Sequence, residues 1–163
     1  MDRRDFFASA LGAAAVALVY RELPAQGATP SRATAQGALP PMTVYKSASC
    51  GCCGNWVDHA RAAGFTVRTI DTNDLASVKR EMGVPSDLES CHTVVVGNYL
   101  VEGHVPAKEV KRMLSTKPAI RGIAVPGMPI GSPGMEQGSP KDYQRYDVVA
   151  FTAKGARSVF AKY

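Results

Sequence analysis

The sequence is poor in several things at once. Charged residues fill 20% of its 163 positions, no basic run exceeds two residues, and 19 Lys+Arg against 14 Asp+Glu leave a net charge of only +5. Nucleic-acid binders gather positive charge into a stripe; here it is scattered, which points away from nucleic acid. Four cysteines are too few for a disulfide-dense scaffold at this length. No apolar run reaches the roughly 20 residues that span a bilayer as a helix; Phe6 to Tyr20 comes nearest, at about 15. The length leaves little room for two full domains but allows one, alone or behind a leader. A hydrophobic content of 45% excludes compositional disorder.

The leader reads as an export signal. Arg3-Arg4 precedes Phe6-Phe7, an Ala-rich apolar stretch follows, and small residues come after it. Arg3-Arg4-Asp5-Phe6-Phe7 resembles the twin-arginine motif of proteins exported already folded, with Asp2 and Ala8 departing from its usual flanks. Ala33-Thr34-Ala35 and Leu23-Pro24-Ala25 are candidate cleavage sites. Residues 1–35 are therefore expected to be a removable signal and 36–41 a linker. A domain over 42–163 would reside in the periplasm without a stable membrane anchor. Removing 1–35 takes four basic and three acidic residues, leaving 15 against 11 and a net charge of +4.

The rest reads as a mixed α/β (α+β) domain in the order β-α-β-α-β-β-α. Met42–Ser47 is a strand; Trp56, Val57, Ala60 and Ala63 recur at helical spacing up to Gly64. Phe65–Ile70 alternates as a strand, and Leu75, Val78 and Met82 share a helical face ended by Gly83. Thr93–Val96 and Tyr99–Glu102 flank a Gly97-Asn98 hairpin turn, and Pro106 opens a helix with Val110 and Leu114. Crossover helices imply parallel pairing among the early strands, and the hairpin implies antiparallel pairing later. This is the order of a thioredoxin-like fold. Residues 118–140 hold five prolines and five glycines and almost no charge, so they are expected to form an ordered loop without regular structure. Asp147–Ala153 is a further strand, and a short amphipathic piece ends the chain.

All four cysteines lie between positions 50 and 91, three of them in Cys50-Gly51-Cys52-Cys53. A helix beginning near Cys53 would turn its unpaired amide donors toward this cluster and favour thiolate. Thiolate serves both disulfide exchange and soft-metal binding, so location alone leaves both open. A third cysteine blurs a simple redox pair, Cys91 adds a fourth soft ligand, and a metal protects exported thiols from oxidation. Structural bridges from Cys50 or Cys53 to Cys91 are a further alternative. Crowded thiolates suit Cu(I), with room for more than one ion sharing sulfurs, better than the separated ligand pairs of zinc. Met128 and Met135 are additional soft donors, with loop packing as the ordinary alternative. His92 is a ligand candidate beside Cys91, His104 a ligand or a capping contact, His59 a surface residue, and Trp56 an apolar lid.

Together, Cys50-Gly51-Cys52-Cys53 with Trp56, Ser90-Cys91-His92-Thr93, Glu102-Gly103-His104-Val105-Pro106-Ala107, Gly127-Met128-Pro129 and Gly131-Ser132-Pro133-Gly134-Met135-Glu136 resemble the DUF411 family. These are CopG-like exported bacterial metal-binding proteins associated with copper tolerance. The resemblance covers about residues 42–153. It implies a thioredoxin-like domain and copper bound through Cys50, Cys52, Cys53 and Cys91, with His104, Met128 and Met135 in family motifs. The expected function is a periplasmic protein that holds or transfers Cu(I), with copper ions and other periplasmic copper-handling proteins as partners. The alternatives are a thioredoxin-like oxidoreductase acting on Cu(I)/Cu(II) or on disulfides, and a binding module held by disulfides.

Overall fold

A computed structural model describes residues 38–163. The expected export signal and the first residues of the linker lie outside them. Seven strands form one sheet in the order β2-β1-β3-β4-β5-β6-β7. The chain runs β1 (Met42–Lys46), α1 (Gly51–Ala62), β2 (Val67–Asp71), α2 (Leu75–Met82), β3 (His92–Val96), β4 (Tyr99–Glu102), α3 (Ala107–Thr116), β5 (Gly122–Ala124), β6 (Asp147–Phe151) and β7 (Arg157–Lys162). The expected mixed class and the expected order up to α3 are both present.

The sheet is buried on both faces at its centre, and side-chain alternation along each strand divides the core in two. Val94, Val96, Val101, Ile123, Val148 and Ala150 join Trp56, Val57, Val110 and Met113 on the face covered by α1 and α3. Leu100, Ala124 and Phe151, with Val95 and Val149 packed against them, join Val84, Leu88 and Met82 on the other face. That explains the unbroken valine run of β3: a strand covered on both sides has no polar face to show. β2 has a neighbour on one side only, and its residues are half-buried or exposed despite their alternating pattern.

The structure departs from the expected arrangement at several points. β1 and β2 do pair in parallel, but β3 runs antiparallel to β1, with His92 opposite Lys46. The segment from Gly83 to Cys91, with a 3-10 turn at Ser86–Leu88, returns the chain to the end of the sheet where β1 finishes. On α2 the buried residue is Lys79, whereas Leu75, Val78 and Met82 are only half-buried. Residues 118–140 contain a strand after all: β5 pairs in parallel with β4 and antiparallel with β6. The final piece is also a strand, β7, antiparallel to β6. Pro106 caps α3 one residue before its first turn, at φ −59° and ψ 133°. Among the described residues no helix is long and apolar enough to cross a membrane.

Candidate metal centre

The site forms where β1 ends, α1 begins and β3 starts. α1 begins at Gly51, two residues before the position the sequence suggested, and Cys50 is its N-cap. The Cys53 amide donates to Cys50 Sγ at 3.3 Å, so a free donor of the helix start is spent on a cysteine sulfur. Cys50 and Cys53 are joined in a disulfide. Cys52 and Cys91 are free. The alternative of a structural bridge to Cys91 is not the one that forms: the C-x-x-C pair closes on itself. Cys52 Sγ lies 3.5 Å from Cys50 Sγ and 3.9 Å from Cys91 Sγ. Cys53 Sγ lies 3.5 Å from the Cys91 carbonyl oxygen. All four sulfurs lie within 4.8 Å of one another.

Two histidines complete the site on the far side of Cys91. His104 is buried; its Nδ1 lies 2.8 Å from the Pro133 carbonyl oxygen and its Nε2 lies 2.9 Å from Cys91 Sγ. A carbonyl only accepts, so Nδ1 carries the proton and Nε2 turns a bare lone pair toward the sulfur. Metal-binding histidines are commonly oriented in this way. His92 is fully buried, with Nδ1 3.4 Å from Cys91 Sγ and Nε2 without a hydrogen-bond partner. Its ring lies 4.8 Å from that of Trp56 and 5.1 Å from that of His104. Cys91, His92 and His104 form a second potential ligand group, which shares Cys91 with the four-sulfur group.

The electrostatics leave the site uncharged at neutral pH on its Cys91 side. Burial, reinforced by Cys52 close by, pushes the Cys91 thiol up to about 12. Burial holds His92 well below the usual imidazole range and also lowers His104. Cys91 is therefore a thiol that donates to His104 Nε2, and both imidazoles are neutral, the state that binds metal.

A strap, residues 125–136, lies against the site. Gly127 N donates to Glu89 O at 3.3 Å, and Ser90 Oγ donates to Gly127 O. Pro133 holds His104 as described, and Glu136 Oε1 lies 2.9 Å from His59 Nε2 on α1. Gly134 sits at φ +86°, and a Cβ there would come within 2.7 Å of both Cys52 O and Trp56 N. Only glycine lets the strap approach the helix so closely.

The structure thus brings together Cys50, Cys52, Cys53, Cys91, His92 and His104. Met128, in the strap, is 53% exposed. Met135 is half-buried beside Gly134. His59 is exposed, as expected, but it also ties down the strap. Trp56 is a core residue whose Nε1 donates to Val105 O at 2.9 Å, so it anchors the site from within. The buried Lys79–Glu102 pair beside Cys91 was not foreseen from the sequence. Its one visible signal was a lysine on the inner side of an otherwise apolar α2 stripe.

Four cysteines and two imidazoles converging on one end of a mixed α+β sheet define a candidate soft-metal centre. The family described as "Protein of unknown function, DUF411" matches residues 88–135. The solved structure "Copper resistance protein copG- Form 1" is 43% identical, with a TM-score of 0.71, covering 77% of this chain and 98% of that one. "Copper resistance protein copG- Form 2" is likewise 43% identical over the same shares, with a TM-score of 0.72. The curated proteins give no match. The chain belongs to the DUF411 family.

Proposed function

We propose that this chain is a copper-resistance protein that holds or passes on Cu(I) through Cys50, Cys52, Cys53 and Cys91. The observation that carries the reading is the gathering of four sulfurs within 4.8 Å. Sulfurs bound to one ion at about 2.3 Å each lie no more than about 4.6 Å apart, and the separations of 3.5 and 3.9 Å fall inside that span. Soft sulfur donors with neutral imidazole beside them suit Cu(I). The names of the two similar structures support copper as the cargo. Two ligand groups sharing Cys91 support more than one ion, with His104 as a ligand of the second group. Met128 and Met135 are proposed as strap donors that meet the ion on its way in or out. Other copper-handling proteins are the proposed partners, in the periplasm, after export by the twin-arginine route.

The four-sulfur site exists in full only when the Cys50–Cys53 disulfide is reduced, since a disulfide offers no thiolate. Anaerobic Cu(I) titration of the reduced mature protein, followed by X-ray absorption, tests the reading. At least one copper per chain in a sulfur-dominated shell is expected; less than one overturns it.

The disulfide itself favours a second reading, a thioredoxin-like oxidoreductase acting on copper oxidation state or on protein disulfides. The strand order β2-β1-β3-β4, with the C-x-x-C pair at the start of α1, supports a thioredoxin-like frame. Disulfide reduction and Cu(II)/Cu(I) conversion would both depend on Cys53. Equal rates for wild type and Cys53→Ser remove this reading.

A further inference from the structure

On the face of the sheet covered by α2, next to the candidate centre, the chain buries an ion pair. Lys79 from α2 and Glu102 at the end of β4 are 4% and 0% exposed. Lys79 Nζ donates to Glu102 Oε1 and, at 2.9 Å, to Thr93 Oγ1. Thr93 Oγ1 in turn donates to Glu102 Oε2 at 2.7 Å. The Ser90 amide donates to Glu102 Oε1, also at 2.7 Å. One carboxylate therefore takes a donor from each side of Cys91.

The position of this carboxylate in the sheet gives it a task. The β3–β4 pairing runs from Val96 opposite Tyr99 to Thr93 opposite Glu102. One further backbone bond follows, from Gly103 N to His92 O at 3.0 Å. Cys91 and His104 both lie beyond that point, yet their side chains must meet at 2.9 Å. The bond from Ser90 N–H to Glu102 carries the cross-strand connection on past the end of the ladder. Fold stability does not demand a charged pair here. Desolvating two ions costs several kcal/mol, and well-packed apolar replacements are often neutral or better.

We propose that Glu102, locked by Lys79, is a positioning residue for the metal centre. It fixes the Cys91 end of β3 against the His104 end of β4 and so holds Cys91 Sγ opposite His104 Nε2. The proposal deepens the copper reading and rests on it for its effect on binding.

The test compares two double variants of the full mature chain. Lys79→Met with Glu102→Leu removes both charges and the acceptors for Ser90 and Thr93. Lys79→Met with Glu102→Gln removes the charges but keeps an oxygen that accepts from Ser90 N–H. The Leu variant, folded by circular dichroism, is expected to bind Cu(I) about 10- to 100-fold more weakly, the usual effect of losing an outer-shell partner. Its X-ray absorption is expected to lose imidazole scattering. The Gln variant is expected to restore most of both. Wild-type behaviour in the folded Leu variant, or no rescue by Gln, overturns the proposal.

A second readout needs no metal. In the copper-free protein, the iodoacetamide rate at Cys91, measured by mass spectrometry relative to Cys52, is expected to rise several-fold in the Leu variant. An unchanged ratio overturns the positioning role even if wild type binds no copper, a result that would separately end the copper reading. If the Leu variant does not fold, Thr93→Val removes both Thr93 side-chain bonds, the one from Lys79 and the one to Glu102, without a change of shape, and the same ratio decides.

Discussion

Cys50 and Cys53 stand three residues apart at one helix start and are joined. Cys52 and Cys91 are separated by 39 residues, lie 3.9 Å apart and are free. The first pair is local: a single turn of chain brings its sulfurs together. The second depends on the register of β3 against β1 and on everything that holds the start of β3. The first pair can change its ligand count through its oxidation state. The second keeps its count but depends on position. A centre built from both can alter its capacity without dismantling its frame.

The largest test of this contrast sets Cys91→Ser against Cys50→Ser in fully reduced protein. Cys91 belongs to both potential ligand groups and Cys50 to one. Cys91→Ser is expected to weaken Cu(I) binding by more than about 100-fold, above the usual effect of an outer-shell change, and Cys50→Ser by clearly less. Chelator competition measures both, and equal losses would erase the distinction between the pairs.

Next comes the approach of the strap to the helix that carries the local pair. Gly134→Ala places a Cβ against Cys52 O and Trp56 N. It is expected to destabilise the protein by about 1–3 kcal/mol, as overpacking does, and to speed alkylation of Cys52. Urea denaturation and thiol labelling check the two effects; a wild-type midpoint would show that the strap does not bear on the helix.

The last expected effect concerns protons. With its thiol held up at about 12, Cys91 is protonated at neutral pH and must release that proton to bind metal. The bound state therefore gains on the free state as pH rises. In the oxidised protein, where only Cys52 and Cys91 remain as thiols, apparent Cu(I) affinity is expected to rise at least about tenfold per pH unit between about pH 6 and 8, the dependence set by one proton released. A competition titration giving no slope would place Cys91 outside the first contacts of the ion.

Much of the local pair could be read from spacing, because C-x-x-C before a helical pattern is settled within one turn. The Tyr99–Glu102 strand emerged with its observed bounds because Gly97-Asn98 marks the turn so plainly. What escaped is non-local. His104 reads from the sequence as either a ligand or a capping contact before Pro106, and what orients it, the Pro133 carbonyl, lies 29 residues away. Lys79 sat where a helical stripe calls for an apolar side chain, and only the Glu102 carboxylate explains its burial. β5 has three residues among prolines and glycines and is a strand because β4 and β6 flank it. β7 is largely exposed, so no alternation of buried positions announced it.

β5 also bears on where this chain can be cut. Leu100, Val101 and Glu102 of β4 are all buried, and β5 pairs with this stretch on the side away from β3. A chain ending after α3 would keep every cysteine, yet it would bare that row of backbone donors and acceptors on an apolar strand. Such an edge recruits other chains. The final segment thus covers an edge that would otherwise recruit other chains, and a protein shortened to its cysteine-bearing half is expected to aggregate.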